Sequence, residues 1–320
     1  MSDKSVFVII LNWNHIEDLR LTLESFIIQT CSGLNIIVAD NGSTDGSIEL
    51  LKSEYPGVIL IDNKENIGFA AGNNRAIEYA ISQNADFVLL ANNDIYIDNP
   101  GLISQIIEDI SSCNIDNVGV YGIQERNYFE QGNVISNGWI LFEDMQKENK
   151  QFNNSRSNLD MSIKKPYKVV DFVSGSFILI DSKVFNICGL LDEAFYMYHE
   201  EAEFCYRAWL HNFKVLVNTS LHYYHKEAQT AGTRTPFSIY YRMRNNYYFL
   251  FKHRKNINHY WYFLYSITSR NVLGFIKLTF SLIFKFSTNK NIWLAQYMVF
   301  KDVVSGNYYR QKKVNNQNAV

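Results

Sequence analysis

Short apolar runs alternate with longer stretches whose apolar residues fall three and four apart. Residues 6–11 (Val-Phe-Val-Ile-Ile-Leu) form an apolar run that stops at Asn12-Trp13-Asn14. Residues 17–29 then carry Leu19, Leu23, Phe26 and Ile27 at helical spacing. Residues 34–39 predict a second strand, 48–54 a helix, 58–61 a third strand and 68–82 a third helix. A fourth run, Phe87-Val88-Leu89-Leu90-Ala91, is short, β-prone and apolar throughout, the pattern of a strand buried on both faces. It breaks into Asn92-Asn93-Asp94, small polar side chains suited to a turn at a strand end. Strand and helix alternating at this spacing predict an α/β fold, with a mostly parallel sheet and helices on both faces.

The pattern weakens from residue 111 to residue 167. Residues 119–122 read as a strand, and 143–160 as a polar, Asn-rich mobile loop. Strand character returns at 169–180 around Ser174-Gly175-Ser176. A helix is predicted from near Glu200, with Phe204, Ala208 and Leu210 on its buried side, then a short strand at 214–217 followed by His222 and His225. From Phe237 the chain becomes aromatic and basic, and 271–286 is strongly apolar but interrupted by Lys277 and Lys285. That suits a helix in a membrane interface, or equally a helical subdomain with solvated lysines. The division expected is 1–232 as the α/β domain and 233–320 as a helical C-terminal extension.

Charge sharpens that division. The net charge of −2 hides fourteen Lys and Arg from Arg234 onward against one acid, Asp302. The first two thirds could hold cations, and the last third could meet phosphates or an anionic membrane surface. The four cysteines, Cys31, Cys113, Cys188 and Cys205, show no paired spacing, as free thiols in a reducing compartment do. A strand beginning about five residues in leaves no room for a signal peptide, and no uninterrupted apolar run reaches the ~20 residues of a bilayer span. A cytoplasmic protein is expected, touching the inner membrane face at most.

Candidate chemistry collects at strand ends, where open α/β sheets bind ligands. Asp94 there could hold a hard cation against a phosphate, or simply close its turn. Asp40 opens the Gly/Ser/Thr-rich turn 40–47 and could accept from ribose hydroxyls or a base N–H, or form an Asx-turn and cap. Gly68, Gly72 and Asn73 sit in a Gly/Asn-rich helix entry that permits close approach of a ligand or tight helix–sheet packing. Glu200 and Glu201 fall in a first helical turn, where the dipole favours negative charge; crowded by aromatics, either is also a candidate general base. His222 or His225 could bind a metal through a ring nitrogen, although packed histidines are commoner. There is no Gly-x-Gly-x-x-Gly and no Gly-Lys-Ser/Thr, so dinucleotide oxidoreductases and P-loop enzymes lack their phosphate cradles here.

The ordered set 8–14, 40–47, 66–74 and 90–94, followed by Gly175-Ser176, 192–207, 225–230 and Arg244-Asn245, resembles family 2 glycosyltransferases of the GT-A fold. Within that family the pattern is most similar to bacterial rhamnosyltransferases. The resemblance implies a nucleoside-diphosphate sugar donor, with dTDP-rhamnose favoured over a UDP-sugar. It places Asn12, Trp13, Asn14, Asp40, Asn41, Asn92, Asn93 and Arg244 with Gly68, Gly72 and Asn73 at the donor. Gly175 and Ser176 fall at the acceptor. It implies a divalent cation, Mn2+ or Mg2+, on Asp94 and His225, and Glu201 as the base, with Glu200 as the alternative. The acceptor implied is a saccharide or lipid-linked saccharide of surface polysaccharide synthesis; no nucleic acid is expected, and a homo-oligomer stays open.

Two positions depart from the family pattern. The first acid of its Asp-x-Asp metal motif is Asn92, which leaves one fewer carboxylate for a cation. Its usual aspartate base is a glutamate at 201, one methylene longer. A non-catalytic nucleotide- or saccharide-binding protein with a docking tail is the alternative of another class. A sugar-phosphate nucleotidyltransferase would need a Gly-rich, basic loop after Leu11, where Asn-Trp-Asn stands instead.

Overall fold

The computed structural model describes residues 4–130, 132–139, 165–226 and 235–253, with five further positions between 298 and 305. The loop predicted at 143–160 and the apolar segment at 271–286 lie outside the described residues. The chain divides into two units. One comprises Met1–Asp192 with Glu200–Glu227, and the other Glu193–His199 with Ala228–Val320.

The first unit is built on one ten-stranded sheet. It opens with β1 (Val6–Asn12), α1 (Ile16–Ile27), β2 (Leu34–Asp40), α2 (Ser47–Glu54), β3 (Ile59–Asp62), α3 (Phe69–Ser82) and β4 (Phe87–Asn92). Each matches a segment expected from the pattern, because every apolar run here ends at a polar turn. There follow β5 (Ile95–Tyr96), α4 (Leu102–Ser112), β6 (Val118–Asn127), β7 (Val134–Ser136), β8 (Tyr167–Val169), β9 (Phe177–Asp181), α5 (Ser182–Cys188), α6 (Glu200–Leu210) and β10 (Lys214–His225). The strand order is β3-β2-β1-β4-β9-β6-β10-β5, with β7 on β6 and β8 on β10.

Strands β3, β2, β1 and β4 run parallel. Strand β9 then enters antiparallel to both β4 and β6, so the far half of the sheet is mixed. Residues Val6 to Ile10 are all buried, so both faces of β1 are covered. From β1 the chain runs outward to β2 and β3 and returns to β4 on the other side. The strand order therefore reverses between β1 and β4, which places a ligand crevice at their carboxyl ends. Those ends are Asn12 and Asn92.

Helix α4 had no counterpart in the pattern reading, although Leu102, Ile103 and Ile106 form its buried stripe. It is tied to the sheet by Asp109, whose carboxylate accepts from the hydroxyls of Tyr121 and Tyr167 and from Asn218 Nδ2 at 2.7 Å. Strand β10 is twelve residues long rather than four, with a register shift between Asn218 and His222. The polar Asn218-Thr219-Ser220 at this irregularity interrupts the apolar pattern without ending the strand.

In the second unit α7 (Pro236–His253) packs on the short 3-10 turn at Glu193–Phe195, with Phe195 and Tyr248 edge to face. No helix among the described residues is long and apolar enough to cross a membrane.

Candidate active site

The ends of β1 and β2 are joined by one polar network. Parallel register sets Asn12 beside Asp40. Asp40 is fully buried, and its Oδ2 accepts from Asn12 Nδ2 at 2.8 Å and Ser43 Oγ at 2.7 Å. Its Oδ1 accepts from the Ser43 amide at 2.7 Å, which is the Asx-turn the sequence allowed. Asn93 Nδ2 donates to Asn12 Oδ1 at 2.7 Å, so the turn after β4 is locked to the turn after β1. Asn14, at φ 60°, donates its amide to Ser43 Oγ and accepts from the Thr44 amide, while Trp13 stays half-buried beside it. Farther along, Asn41 Nδ2 donates to the carbonyl of Gly68 at 3.1 Å, and Asn63 Nδ2 to Asn41 Oδ1 at 2.9 Å.

Gly72 sits where α3 crosses this network. A Cβ there would lie 2.6 Å from Leu11 Cδ1 and 2.8 Å from Asn41 Oδ1. The next residue, Asn73, donates to the Phe69 carbonyl, and its Oδ1 is buried without a hydrogen-bond partner among the described residues. Such an oxygen carries a desolvation cost that a ligand N–H or O–H would remove.

The second cluster lies at the end of β4. Asp94 and His225 are both buried, and Asp94 Oδ1 stands 3.0 Å from His225 Nε2. His225 Nδ1 stands 2.5 Å from Glu125 Oε1, and Asn92 Nδ2 lies 3.4 Å from Nε2. Burial pulls the imidazole pKa down, but the hydrogen bonds and charges of Asp94 and Glu125 outweigh it and raise the value to about 10. His225 lies within β10, not after it, and pairs with Ile95. His222 is three residues away on the same strand, so it faces the other way; its Nε2 is 3.8 Å from Asp98.

The donor set of Asp94 and His225 fits a divalent cation. Adjacent ligands of an octahedral ion at about 2.1 Å lie about 3 Å apart, as these two atoms do. Among the described residues no three His, Cys, Asp or Glu side chains converge as a complete cage. The remaining positions would therefore fall to phosphate oxygens and water, the usual habit of Mg2+.

The Ser174-Gly175-Ser176 turn before β9 touches both sides of the site. Ser176 Oγ is 2.6 Å from Tyr223 OH, 2.8 Å from Ser174 Oγ and 3.4 Å from Glu125 Oε1. On the other side, a Cβ on Gly175 would stand 3.6 Å from Cβ and Cγ of Glu201 and from Phe69 Cζ. Glu201 is half-buried in the first turn of α6, whereas Glu200 is 4% exposed.

Known proteins resemble much of this chain. The sequence model of Glycosyl transferase family 2 matches residues 7–186. The chain belongs to glycosyl transferase family 2. The low-salt glycan biosynthesis hexosyltransferase of Haloferax volcanii is 33% identical over 216 residues, covering 65% of this chain and 62% of that protein. An N-acetylglucosaminyl-diphospho-decaprenol L-rhamnosyltransferase of Mycobacterium tuberculosis is 23% identical over 245 residues, covering 71% of this chain and 78% of the relative. The match thus spans less than two thirds of the Haloferax relative's length. The mannosyltransferase of Pyrobaculum calidifontis, solved with GDP-Man and Mn2+, superposes with a TM-score of 0.55 at 11% identity over 96% of this chain and 88% of that one. TarS of Staphylococcus aureus does so at 0.53 and 17% identity over 80% of this chain and 41% of its own. The fold of this family 2 chain is GT-A.

Two residues stand differently from the rest. Arg244 belongs to the second unit, is 2% exposed, and spends its guanidinium on the carbonyls of Ala194 and Phe195 and on Asn245 Oδ1. Glu125 was missed by sequence reasoning. Its signal was the same as that of Asp40 and Asp94: an acid just past the apolar run Val118 to Ile123, toward the end of a strand.

Proposed function

We propose that this family 2 chain transfers a hexosyl group, with inversion, from a nucleoside-diphosphate sugar to a hydroxyl of a saccharide or lipid-linked saccharide in surface polysaccharide synthesis. dTDP-rhamnose is the favoured donor, supported by the mycobacterial relative's name and its coverage, and a UDP-sugar is second. The observation that carries the reading is the Ser174-Gly175-Ser176 turn. It brings the Glu201 side chain alongside Gly175, while the next residue contacts the chain of groups leading through Glu125 and His225 to Asp94.

In this reading the turns after β1, β2 and β4 receive the nucleoside, through Asn12, Trp13, Asn14, Asp40, Asn41, Asn92 and Asn93. Gly68, Gly72 and Asn73 let α3 approach the diphosphate. Asp94 and His225 hold Mn2+ or Mg2+, which supplies positive charge to the diphosphate when bound. Glu201 takes the proton from the acceptor hydroxyl as its oxygen bonds to C1 of the sugar. The bond from C1 to the diphosphate oxygen breaks on the opposite face, and its electron pair leaves with the nucleoside diphosphate. Glu201 is preferred over Glu200 because it is the less buried of the two and adjoins Gly175. The reaction would take place on the cytoplasmic side of the membrane, where nucleotide sugars are available.

The test is release of nucleoside diphosphate from a panel of sugar nucleotides, with and without Mn2+ or Mg2+ and with candidate acceptors. One donor is expected to turn over with metal, and Glu201→Gln to lower kcat by about 10²–10⁴ at unchanged donor affinity. Donor binding without turnover by the wild type would favour a non-catalytic binding protein.

A further inference from the structure

The polar chain at His225 does not stop at the two candidate cation ligands. Behind the ring, Glu125 Oε1 is 2.5 Å from Nδ1, and Glu125 is itself only 4% exposed. Strand register places Glu125 beside Tyr223 on β10. Tyr223 OH meets Ser176 Oγ at 2.6 Å, and Ser176 Oγ lies 3.4 Å from Glu125 Oε1, so the carboxylate has fixed neighbours of its own.

A buried carboxylate in that place has a specific consequence for a ligand imidazole. Holding the Nδ1 proton orients the ring, so that a cation taking the place of the Nε2 proton beside Asp94 meets a nitrogen already aimed at it and made a stronger donor. The charge matters too, because Asn92 stands where the family pattern carries an acid, and Asp94 is then the one carboxylate of the motif. We propose that Glu125 is the positioning residue of the cation site: it orients His225 from behind and supplies, through the ring, negative charge that Asn92 does not. This rests on the reading of Asp94 and His225 as cation ligands. Ser176 and Tyr223 then act on the cation indirectly, by holding Glu125.

Mn2+ binding to the full chain, followed by the electron spin resonance of the free ion, separates the two readings. The wild type is titrated alone and with thymidine diphosphate or uridine diphosphate, beside Glu125→Gln and Tyr223→Phe, and each variant's unfolding midpoint is measured in chelator. Glu125→Gln keeps the size of the side chain and an acceptor but loses the charge; it is expected to bind Mn2+ about 10- to 100-fold more weakly. Tyr223→Phe removes one hydroxyl behind Glu125 and is expected to lose about two- to tenfold. A purely structural role for Glu125 would lower the unfolding midpoint in chelator while leaving Mn2+ affinity of the folded variants unchanged. Wild-type Mn2+ affinity in Glu125→Gln overturns the proposal. Should that variant fail to fold, unchanged affinity in Tyr223→Phe overturns it instead. A wild type that binds no Mn2+ in either titration overturns the cation reading itself, and the proposal with it.

Discussion

Asn12 holds more of the site together than any other single side chain. Its amide donates to Asp40 and Ser43, and its carbonyl oxygen accepts from Asn93, so three turns depend on one buried residue. Asn12→Ala leaves a buried carboxylate and a buried amide each short of a partner, at a cost of about 1–3 kcal/mol. Urea unfolding should show that loss, and donor affinity should fall with it; a stability within error of wild type would mean that water replaces the amide. His199 gives a second residue-scale expectation. Burial first, then the positive charge of Arg242, lower its pKa from 6.5 to about 4. Between those values the unfolded chain binds a proton that the folded chain does not, so stability rises with pH across the window. It is present in full above pH 6.5 and lost as pH falls toward 4. His199→Asn, a residue that tolerates the observed φ of 71°, should flatten the difference in unfolding midpoint between pH 6.5 and pH 4.5.

Among the elements, α3 and the 174–176 turn differ in how much room they leave. Gly72→Ala drives a methyl into the Leu11 and Asn41 side chains at under 3 Å, so those side chains or α3 itself must give way. Overpacking of this kind costs about 1–3 kcal/mol and should also weaken donor binding. Gly175→Ala meets its neighbours at 3.6 Å, ordinary contact, and should fold like the wild type while slowing turnover by crowding Glu201. Thermal melts and kcat for the two variants check this, and equal melting losses would contradict it. The same scale explains which elements were legible. Runs 6–11, 34–39 and 87–91 end in polar turns, so their strands read directly. β10 did not, because Asn218-Thr219-Ser220 interrupts its apolar pattern where the register shifts, while pairing to β6 and β5 carries the strand through. Helix α4 owes part of its place to Asp109 and its tyrosine partners, long-range contacts with no local signature.

For the whole molecule, the segregation of charge sets one expectation. Fourteen basic residues against one acid from Arg234 onward should draw the full chain to vesicles containing anionic lipid, and about 0.5 M salt should release it by screening. Equal sedimentation with neutral and anionic vesicles would remove the membrane from the proposed function. The sequence by itself determined the alternation of strand and helix, the polar strand ends, the family, and the acids Asp40, Asp94 and Glu201 as candidates. Those follow from local periodicity and from short ordered motifs, which survive in one dimension. Only the tertiary structure decided that Asp40 is bonded to Asn12 across β1 and β2, that His225 and not His222 meets Asp94, and that Glu125 stands behind it. Each joins residues from 28 to more than 130 positions apart, or depends on which face of a strand a side chain takes. Strand register fixes such pairings, and register is set by packing rather than by sequence distance.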